Sequence, residues 1–411
     1  MSASTTFVIV GGGLAGAKAV EALRDSGFEG HIILFADETH LPYERPPLSK
    51  EYLAGKKSLN DFTVRNSDWY RDKNVDLRLG SRVSSLDAAG HTLGLPDGTT
   101  ARYDKLLLAT GSAARRPPIP GSDADGVHYL RTYEDAVGLN AVLSERSSLA
   151  VVGAGWIGLE VAAAARQHGV DVTVVESARQ PLAAALGETV GEVFATLHRE
   201  KGVDLRLETQ VQEITTNDGT ATGLRMRDGS TVGADAVLVA VGAKPNIELA
   251  EQAGLSMADG GVLVDASLRT SDPDIYAVGD IAAAEHPLFG TRIRTEHWAN
   301  ALKQPAVAAA GMCGKPGEYD ELPYFFTDQY ELGMEYVGYA PSFERVVFRG
   351  DVAGREFVAF WIDSDDRVLA GMNVNIWDVL DDVKALIRSQ NPVDIDKLTD
   401  PQSPLAELRE R

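Results

Sequence analysis

An α/β fold of two similar units with a smaller α+β C-terminal domain is predicted by three observations. A strand, a Gly-x-Gly-x-x-Gly turn and a helix succeed one another near the start of the chain; the same pattern returns at Gly153; and hairpin-like strands take over after residue 323. Phe7-Val8-Ile9-Val10 has the run of a buried strand, and residues 17–23 have apolar positions at helical spacing. Between them, Gly11 makes the tight turn, Gly13 lets backbone approach a pyrophosphate, and Gly16 allows the helix to pack closely on the strand; Leu14 and Ala15 lie within the same turn. The helix N-terminus then faces the phosphates.

The second copy reads Leu149-Ala150-Val151-Val152-Gly153-Ala154-Gly155-Trp156-Ile157-Gly158, followed by a helix-like run over residues 159–167. One motif of this kind is a weak signal, whereas two with the correct flanks predict two Rossmann-like dinucleotide-binding units. The repeat extends further, because Tyr103-Asp104-Lys105-Leu106-Leu107-Leu108-Ala109-Thr110-Gly111 and Ala234-Asp235-Ala236-Val237-Leu238-Val239-Ala240-Val241-Gly242 read as buried strands that end in a small residue and glycine. Those final glycines allow the chain to pass close to a bound nucleotide. Their similar offsets from the first glycine of each fingerprint argue that one nucleotide-binding domain is inserted into another.

An acidic residue distinguishes the two units. Asp171-Val172-Thr173-Val174-Val175-Glu176 ends in a carboxylate placed to accept from a ribose 2′-hydroxyl, which favours NAD over NADP; Arg179, three residues on, softens that preference. In the first unit the strand over residues 32–35 is followed by Ala36, with Asp37 and Glu38 one and two places late, and the choice between them stays open. Thr270-Ser271-Asp272-Pro273-Asp274-Ile275-Tyr276-Ala277-Val278-Gly279-Asp280 sets an aspartate just beyond a strand and glycine, where a flavin's ribityl hydroxyls need an acceptor.

Composition narrows the function classes. Thirty-nine Lys plus Arg against 60 Asp plus Glu give a net charge of −21, a field that repels nucleic acid and anionic membrane surfaces, so neither is expected as a partner. The single cysteine, Cys313, excludes an intramolecular disulfide, a Cys-x-x-Cys redox pair and an all-cysteine iron–sulfur cluster within the chain. It follows a helical run and is expected to be a packed helix-end residue; no metal site is expected. The opening residues lack a signal-peptide pattern, and the weakly polar stretch 149–165 falls short of the roughly 20 apolar residues of a spanning helix, so a soluble cytoplasmic protein is expected.

Together, the two fingerprints, Ala109-Thr110-Gly111 and Tyr276-Ala277-Val278-Gly279-Asp280 resemble the flavoproteins with two dinucleotide-binding domains, a glutathione-reductase-like architecture. Pro42-Tyr43-Glu44-Arg45-Pro46-Pro47-Leu48-Ser49-Lys50, Gly155-Trp156-Ile157-Gly158-Leu159-Glu160 and Glu296-His297-Trp298-Ala299-Asn300-Ala301 further resemble the ferredoxin reductases of oxygenase systems. That resemblance implies an FAD domain over residues 1–114 and 243–322, an NAD domain over 115–242 and a C-terminal interface domain over 323–411. Pro-containing links at 115–121, 243–246 and 315–323, the last including Pro316, mark the borders, and residues 345–351 and 355–362 read as hairpin strands before a helix over 379–389.

The resemblance also assigns residues. Arg45, Lys50, Val83, Ala109, Thr110, Gly111, Arg131, Gly279, Asp280, Glu296, His297 and Trp298 are implied around FAD, and Gly153, Gly155, Ile157, Gly158, Glu176 and Gly242 around NADH. Arg45 and Arg131 have guanidinium forks suited to a pyrophosphate. Lys50 and Glu160 are the implied catalytic pair, Glu160 orienting the nicotinamide carboxamide and Lys50 offering positive charge to the reduced flavin.

The expected activity is hydride transfer from NADH to FAD, then single-electron transfer to a separate [2Fe-2S] ferredoxin serving a cytochrome P450 or a ring-hydroxylating oxygenase. Disulfide reductase chemistry is excluded, since glutathione-reductase-like relatives need a Cys-x4-Cys pair that this chain lacks. Alternatives stay open. The segment Pro323-Tyr324-Phe325-Phe326-Thr327-Asp328-Gln329-Tyr330 has Tyr324 and Phe326 where such reductases often carry tryptophans, so oxygen, a quinone or rubredoxin stays in play as acceptor. An NADH-sensing flavoprotein with a long-lived charge-transfer complex, as in the apoptosis-inducing-factor branch, is the reading from another class. Oligomeric state is open between monomer and homodimer. Residues 45–82 carry nine Lys/Arg against five Asp/Glu, and this local excess is expected to steer an acidic ferredoxin.

Overall fold

A computed structural model describes residues 5–145, 147–315 and 317–409; Pro316, one of the expected border residues, lies outside them. The chain groups into two compact units. Met1–Arg45, Leu59–Ala113 and Ala243–Pro323 form the first, and Pro46–Ser58, Ala114–Gly242 and Tyr324–Arg411 the second. The short segment 46–58 and the C-terminal segment thus fold with the second fingerprint, a grouping that no local sequence signal indicated.

The first unit is built on a five-stranded parallel sheet with the order Ile275–Ala277, Lys105–Leu108, Thr6–Val10, His31–Phe35, Val75–Arg78. The central strand carries the fingerprint, and its last residue, Val10, pairs with Phe35 on one side and Leu108 on the other. Near-continuous Val, Ile and Leu suit strands covered on both faces, and Val8, Ile9, Leu34 and Leu107 are fully buried. The helix Leu14–Asp25 follows at once and buries Ala17, Ala19, Val20 and Leu23.

The second unit repeats this plan with the order Asp204–Arg206, Asp171–Val175, Ser148–Val152, Ala236–Val239, Val127–His128, again parallel. Here Val152 pairs with Val175 and Val239. In both sheets the fingerprint therefore opens at the carboxyl end of a central strand whose neighbours run on either side, the position at which open α/β sheets bind their ligands.

Residues beyond 323 form a five-stranded antiparallel sheet, Tyr324–Gln329, Leu332–Gly338, Val368–Val374, Glu356–Ile362, Arg345–Asp351, in that spatial order. The expected hairpin is present, with Arg355 in the turn at φ +58° rather than in the strand. The expected helix starts at Leu380, with Val379 as its N-cap, and packs so closely on the sheet that a Cβ at Gly371 would lie 2.5 Å from Val383. Among the described residues no helix is long and apolar enough to cross a membrane.

Candidate functional site

The glycines of the first fingerprint do different physical jobs. Gly11 has φ +131°, and a Cβ there would lie 2.0 Å from the carbonyl oxygen of Ala109. A Cβ on Gly16 would meet the Gly11 carbonyl at 2.0 Å, so glycine is what lets helix and strand touch. Gly13 is the N-cap of the Leu14–Asp25 helix, where no side chain caps the helix and an added Cβ would meet nothing within 4 Å. Uncapped amides at the end of a 12-residue helix, with open space in front of them, fit a pyrophosphate.

The remaining first-unit candidates are held by burial, turns and hydrogen bonds. Ala109 is buried, Thr110 and Asn246 exchange hydrogen bonds of 2.6 and 2.9 Å, Gly111 has φ +64°, and Val83 lies in the core beneath. Asp280, only 7% exposed, sits in the turn after the Ile275–Ala277 strand and accepts from Ser112 Oγ at 2.5 Å. Gly279, at φ +75°, donates its N–H to Gln304 Oε1 at 2.7 Å, which fixes that turn. His297 caps the helix Trp298–Met312; burial pushes its imidazole down to about 4, with Asp280 acting in the opposite direction. Glu296 pairs with Arg294 at 2.5 Å, and Trp298 Nε1 donates to Glu44 at 3.0 Å. Arg45 is held by Glu38 at 2.7 Å, and Glu38 also accepts from Tyr43, whereas Asp37 is exposed beside Arg82 at 3.5 Å.

The second fingerprint has matching geometry. Gly153 stands at φ +101° against the Ala240 carbonyl, a Cβ on Gly158 would come within 2.2 Å of the Gly153 carbonyl, and Gly155 caps the Trp156–Gln167 helix with open space before it. Gly242 has φ +104°, and Ile157 is exposed on the first helical turn. Glu176, just past the strand, accepts from the amides of Ala154 and Ala178, both at 2.8 Å, so its carboxylate is held against the glycine turn. Arg179 is exposed and lies 3.5 Å from Glu208. Arg131 belongs to this second unit, where its amide donates to Asp135 at 2.9 Å before the helix Tyr133–Glu145.

Glu160 lies on the second-fingerprint helix and is buried, with a side chain 4% exposed. Its Oε2 accepts from Lys50 Nζ at 2.8 Å and from Ser49 Oγ at 2.5 Å, and its Oε1 accepts from Thr327 Oγ1 at 2.6 Å. Lys50 is itself 10% exposed, and its ammonium stands 5.5 Å from the centre of the Phe326 ring. A buried carboxylate survives only when charge and hydrogen bonds compensate its lost hydration, and three donors do so here. The two residues implied as catalytic are thus in direct contact.

Ser49, Thr327, Gln329 and His198 had not been singled out from the sequence. Gln329 Nε2 donates to Thr327 Oγ1 at 3.2 Å, and Gln329 Oε1 lies 2.8 Å from His198 Nε2. One signal was present: Thr327 and Gln329 are polar residues two apart in an aromatic strand and so share a face, which is the buried one. Complete burial pushes the His198 imidazole down to about 4, against the opposing bond to Gln329. The unfolded chain takes up this proton below 6.5 and the folded chain does not, so stability is lost as pH falls from 6.5 towards 4. Urea unfolding at pH 6.5 and 5 is expected to show about 2 kcal/mol less acid loss in His198→Gln than in the parent. Equal losses in the two proteins would show that His198 does not carry this term.

Four cations of the basic segment 45–82 make ion pairs with acids beyond it in the fold. Arg45 pairs with Glu38, Lys50 with Glu160, Arg65 with Glu21 and Arg82 with Asp37, all acids from outside that segment. Glu21 also pairs with Lys18 at 2.9 Å, so this acid is shared with a cation outside the segment. The aromatic segment forms the Tyr324–Gln329 strand: Tyr324 donates to Glu335 at 2.8 Å, and Phe325 packs between Trp156 and Tyr336 at ring distances of 4.8 Å. Cys313 is the half-buried C-cap of the Trp298–Met312 helix, with its thiol raised by burial. Among the described residues no group of three or more His, Cys, Asp or Glu could hold a metal ion.

Comparison with known proteins matches residues 5–305 to the pyridine nucleotide-disulphide oxidoreductase family and 324–409 to the reductase C-terminal family. The chain is similar to rhodocoxin reductase of Rhodococcus erythropolis, 42% identical over 86% of this chain and 83% of that protein. It is similar to the ferredoxin–NAD(+) reductase component of the anthranilate 1,2-dioxygenase system of Burkholderia cepacia, 40% identical over 96% and 97%. The reductase in the crystal structure of the covalent putidaredoxin reductase–putidaredoxin complex superposes with a TM-score of 0.95 at 38% identity, covering 99% of this chain and 98% of that one.

Proposed function

The chain belongs to the pyridine nucleotide-disulphide oxidoreductase family, and from that premise we propose that it is an NADH-dependent flavoprotein reductase that passes electrons to a [2Fe-2S] ferredoxin of a cytochrome P450 or ring-hydroxylating oxygenase system. Family membership implies FAD and NAD(H) binding. One observation carries the reading: each parallel sheet presents an uncapped, glycine-lined helix N-terminus, in a chain whose single cysteine leaves no internal dithiol to receive the electrons. Two dinucleotides fit, and the final acceptor must be another molecule. The full-length likeness to ferredoxin reductases supports ferredoxin in that role.

In this proposal residues 1–114 and 243–322 serve FAD, 115–242 serve NADH, and 323–411 form an interface domain. Bound FAD supplies a ring that accepts a hydride from NADH and gives the electrons up one at a time, coupling a two-electron donor to a one-electron acceptor. The amides after Gly13 would hold its pyrophosphate, and Asp280 would accept from its ribityl hydroxyls. In the second unit the amides after Gly155 would hold the NADH pyrophosphate, Glu176 the ribose, and Glu160 the carboxamide. Lys50, donating to Glu160 Oε2 at 2.8 Å, would hold that side chain in place. A cytoplasmic setting belongs to the same proposal, since the donor is NADH.

The test is NADH-driven cytochrome c reduction, which is expected to be fast only when a [2Fe-2S] ferredoxin is added; equal rates without it would sink the reading. For the nucleotide preference, Glu176→Ala is expected to narrow the NADH over NADPH ratio of kcat/KM about tenfold, because one charged hydrogen bond to the ribose is lost and a 2′-phosphate no longer meets a carboxylate. An unchanged ratio would place the ribose contact elsewhere.

A further inference from the structure

The bonds around Glu160 have a direction. A carboxylate only accepts, so the Thr327 hydroxyl spends its single hydrogen on Glu160 Oε1 and can itself only accept from Gln329. That fixes the Gln329 amide with its NH2 towards Thr327 and its oxygen towards His198, whose Nε2 must then carry hydrogen. The flipped amide would set two oxygens against each other. His198, Gln329, Thr327 and Glu160 thus form one chain of donors ending on the carboxylate, and Thr327 and His198 are wholly buried. Bonds in such a chain polarise one another and hold their members in one rotamer.

An ionised carboxylate offers about four acceptor positions. Lys50, Ser49 and Thr327 occupy three of them: two on Oε2 and one on Oε1. We propose that Thr327, oriented by Gln329 and His198, is a positioning residue that turns Glu160 Oε1 so that its remaining acceptor position receives an N–H of the nicotinamide carboxamide. This rests on the reading of Glu160 given under the proposed function and adds a set of residues that act through it. Thr327 and Gln329 come from the antiparallel sheet, so that sheet contributes to recognising the nicotinamide end of the dinucleotide.

The experiment measures binding of NAD+ and of ADP-ribose, which lacks the nicotinamide, to the FAD-loaded protein by calorimetry. Thr327→Val keeps the side-chain shape and removes the hydroxyl. It is expected to weaken NAD+ about tenfold while leaving ADP-ribose within about twofold, and Thr327→Ser is expected to bind both like the parent. Equal weakening of both ligands, or no weakening of either, overturns the proposal. Glu160→Gln run alongside separates the two levels: if it leaves the NAD+ to ADP-ribose ratio unchanged, the carboxamide reading of Glu160 itself has failed. If Glu160→Gln changes that ratio and Thr327→Val does not, only the positioning role has failed.

Discussion

Glu160→Ala is expected to slow flavin reduction by NADH about 100-fold and to lower stability by roughly 3–5 kcal/mol. The stability loss arises because Lys50, 10% exposed, would lose the ion-pair partner that stands 2.8 Å from its ammonium. Ser49 and Thr327 would lose the acceptor for their hydroxyls as well. The double variant Lys50→Met, Glu160→Leu separates structure from chemistry. Replacing both charges by apolar groups removes the unpaired ammonium, so urea unfolding should recover most of the lost stability. Stopped-flow flavin bleaching should stay slow, since nothing then orients the carboxamide. Recovery of both quantities in the double variant would reduce the pair to a structural feature.

The second large effect is expected at Asp280. Asp280→Ala should weaken FAD binding about 100-fold, because it removes the buried acceptor proposed for the ribityl hydroxyls. Asp280→Asn keeps the shape and one acceptor and should fall between the two. Ser112→Ala serves as the control: it removes the 2.5 Å bond that anchors the carboxylate but leaves the acceptor in place, so its loss should be smaller. Flavin occupancy after gel filtration reads all three. Full occupancy in Asp280→Ala would remove Asp280 from the FAD site.

Much of the fold was legible because its constraints are local. Gly11 and Gly153 are forced by positive φ and carbonyl contact, Gly16 and Gly158 by helix–strand approach, and each such constraint leaves a glycine at a fixed offset from an apolar run. Strand ends were less legible. The runs ending at Gly111 and Gly242 are ordered as Lys105–Leu108 and Ala236–Val239, because the chain leaves the ladder before those glycines turn at φ +64° and +104°.

The polar cluster was only half legible. A charge among Ile157, Leu159 and Val161 marked Glu160, but Ser49 and Thr327 lie 111 and 167 residues away along the chain, and no local pattern names a partner at such separations. The partners of the basic segment were illegible for the same reason. Its own charges can be counted from the sequence, whereas Glu21, Asp37, Glu38 and Glu160 join them only in the fold.

The central claim is a single electron path from NADH through FAD to a separate iron–sulfur protein, and anaerobic stoichiometry tests it most directly. The FAD-loaded protein is mixed with excess [2Fe-2S] ferredoxin and titrated with NADH, following the visible bands of flavin and cluster. About two ferredoxins should be reduced per NADH consumed, since the donor gives two electrons and the acceptor takes one. Flavin that bleaches with NADH and stays bleached while the ferredoxin remains oxidised would contradict the account.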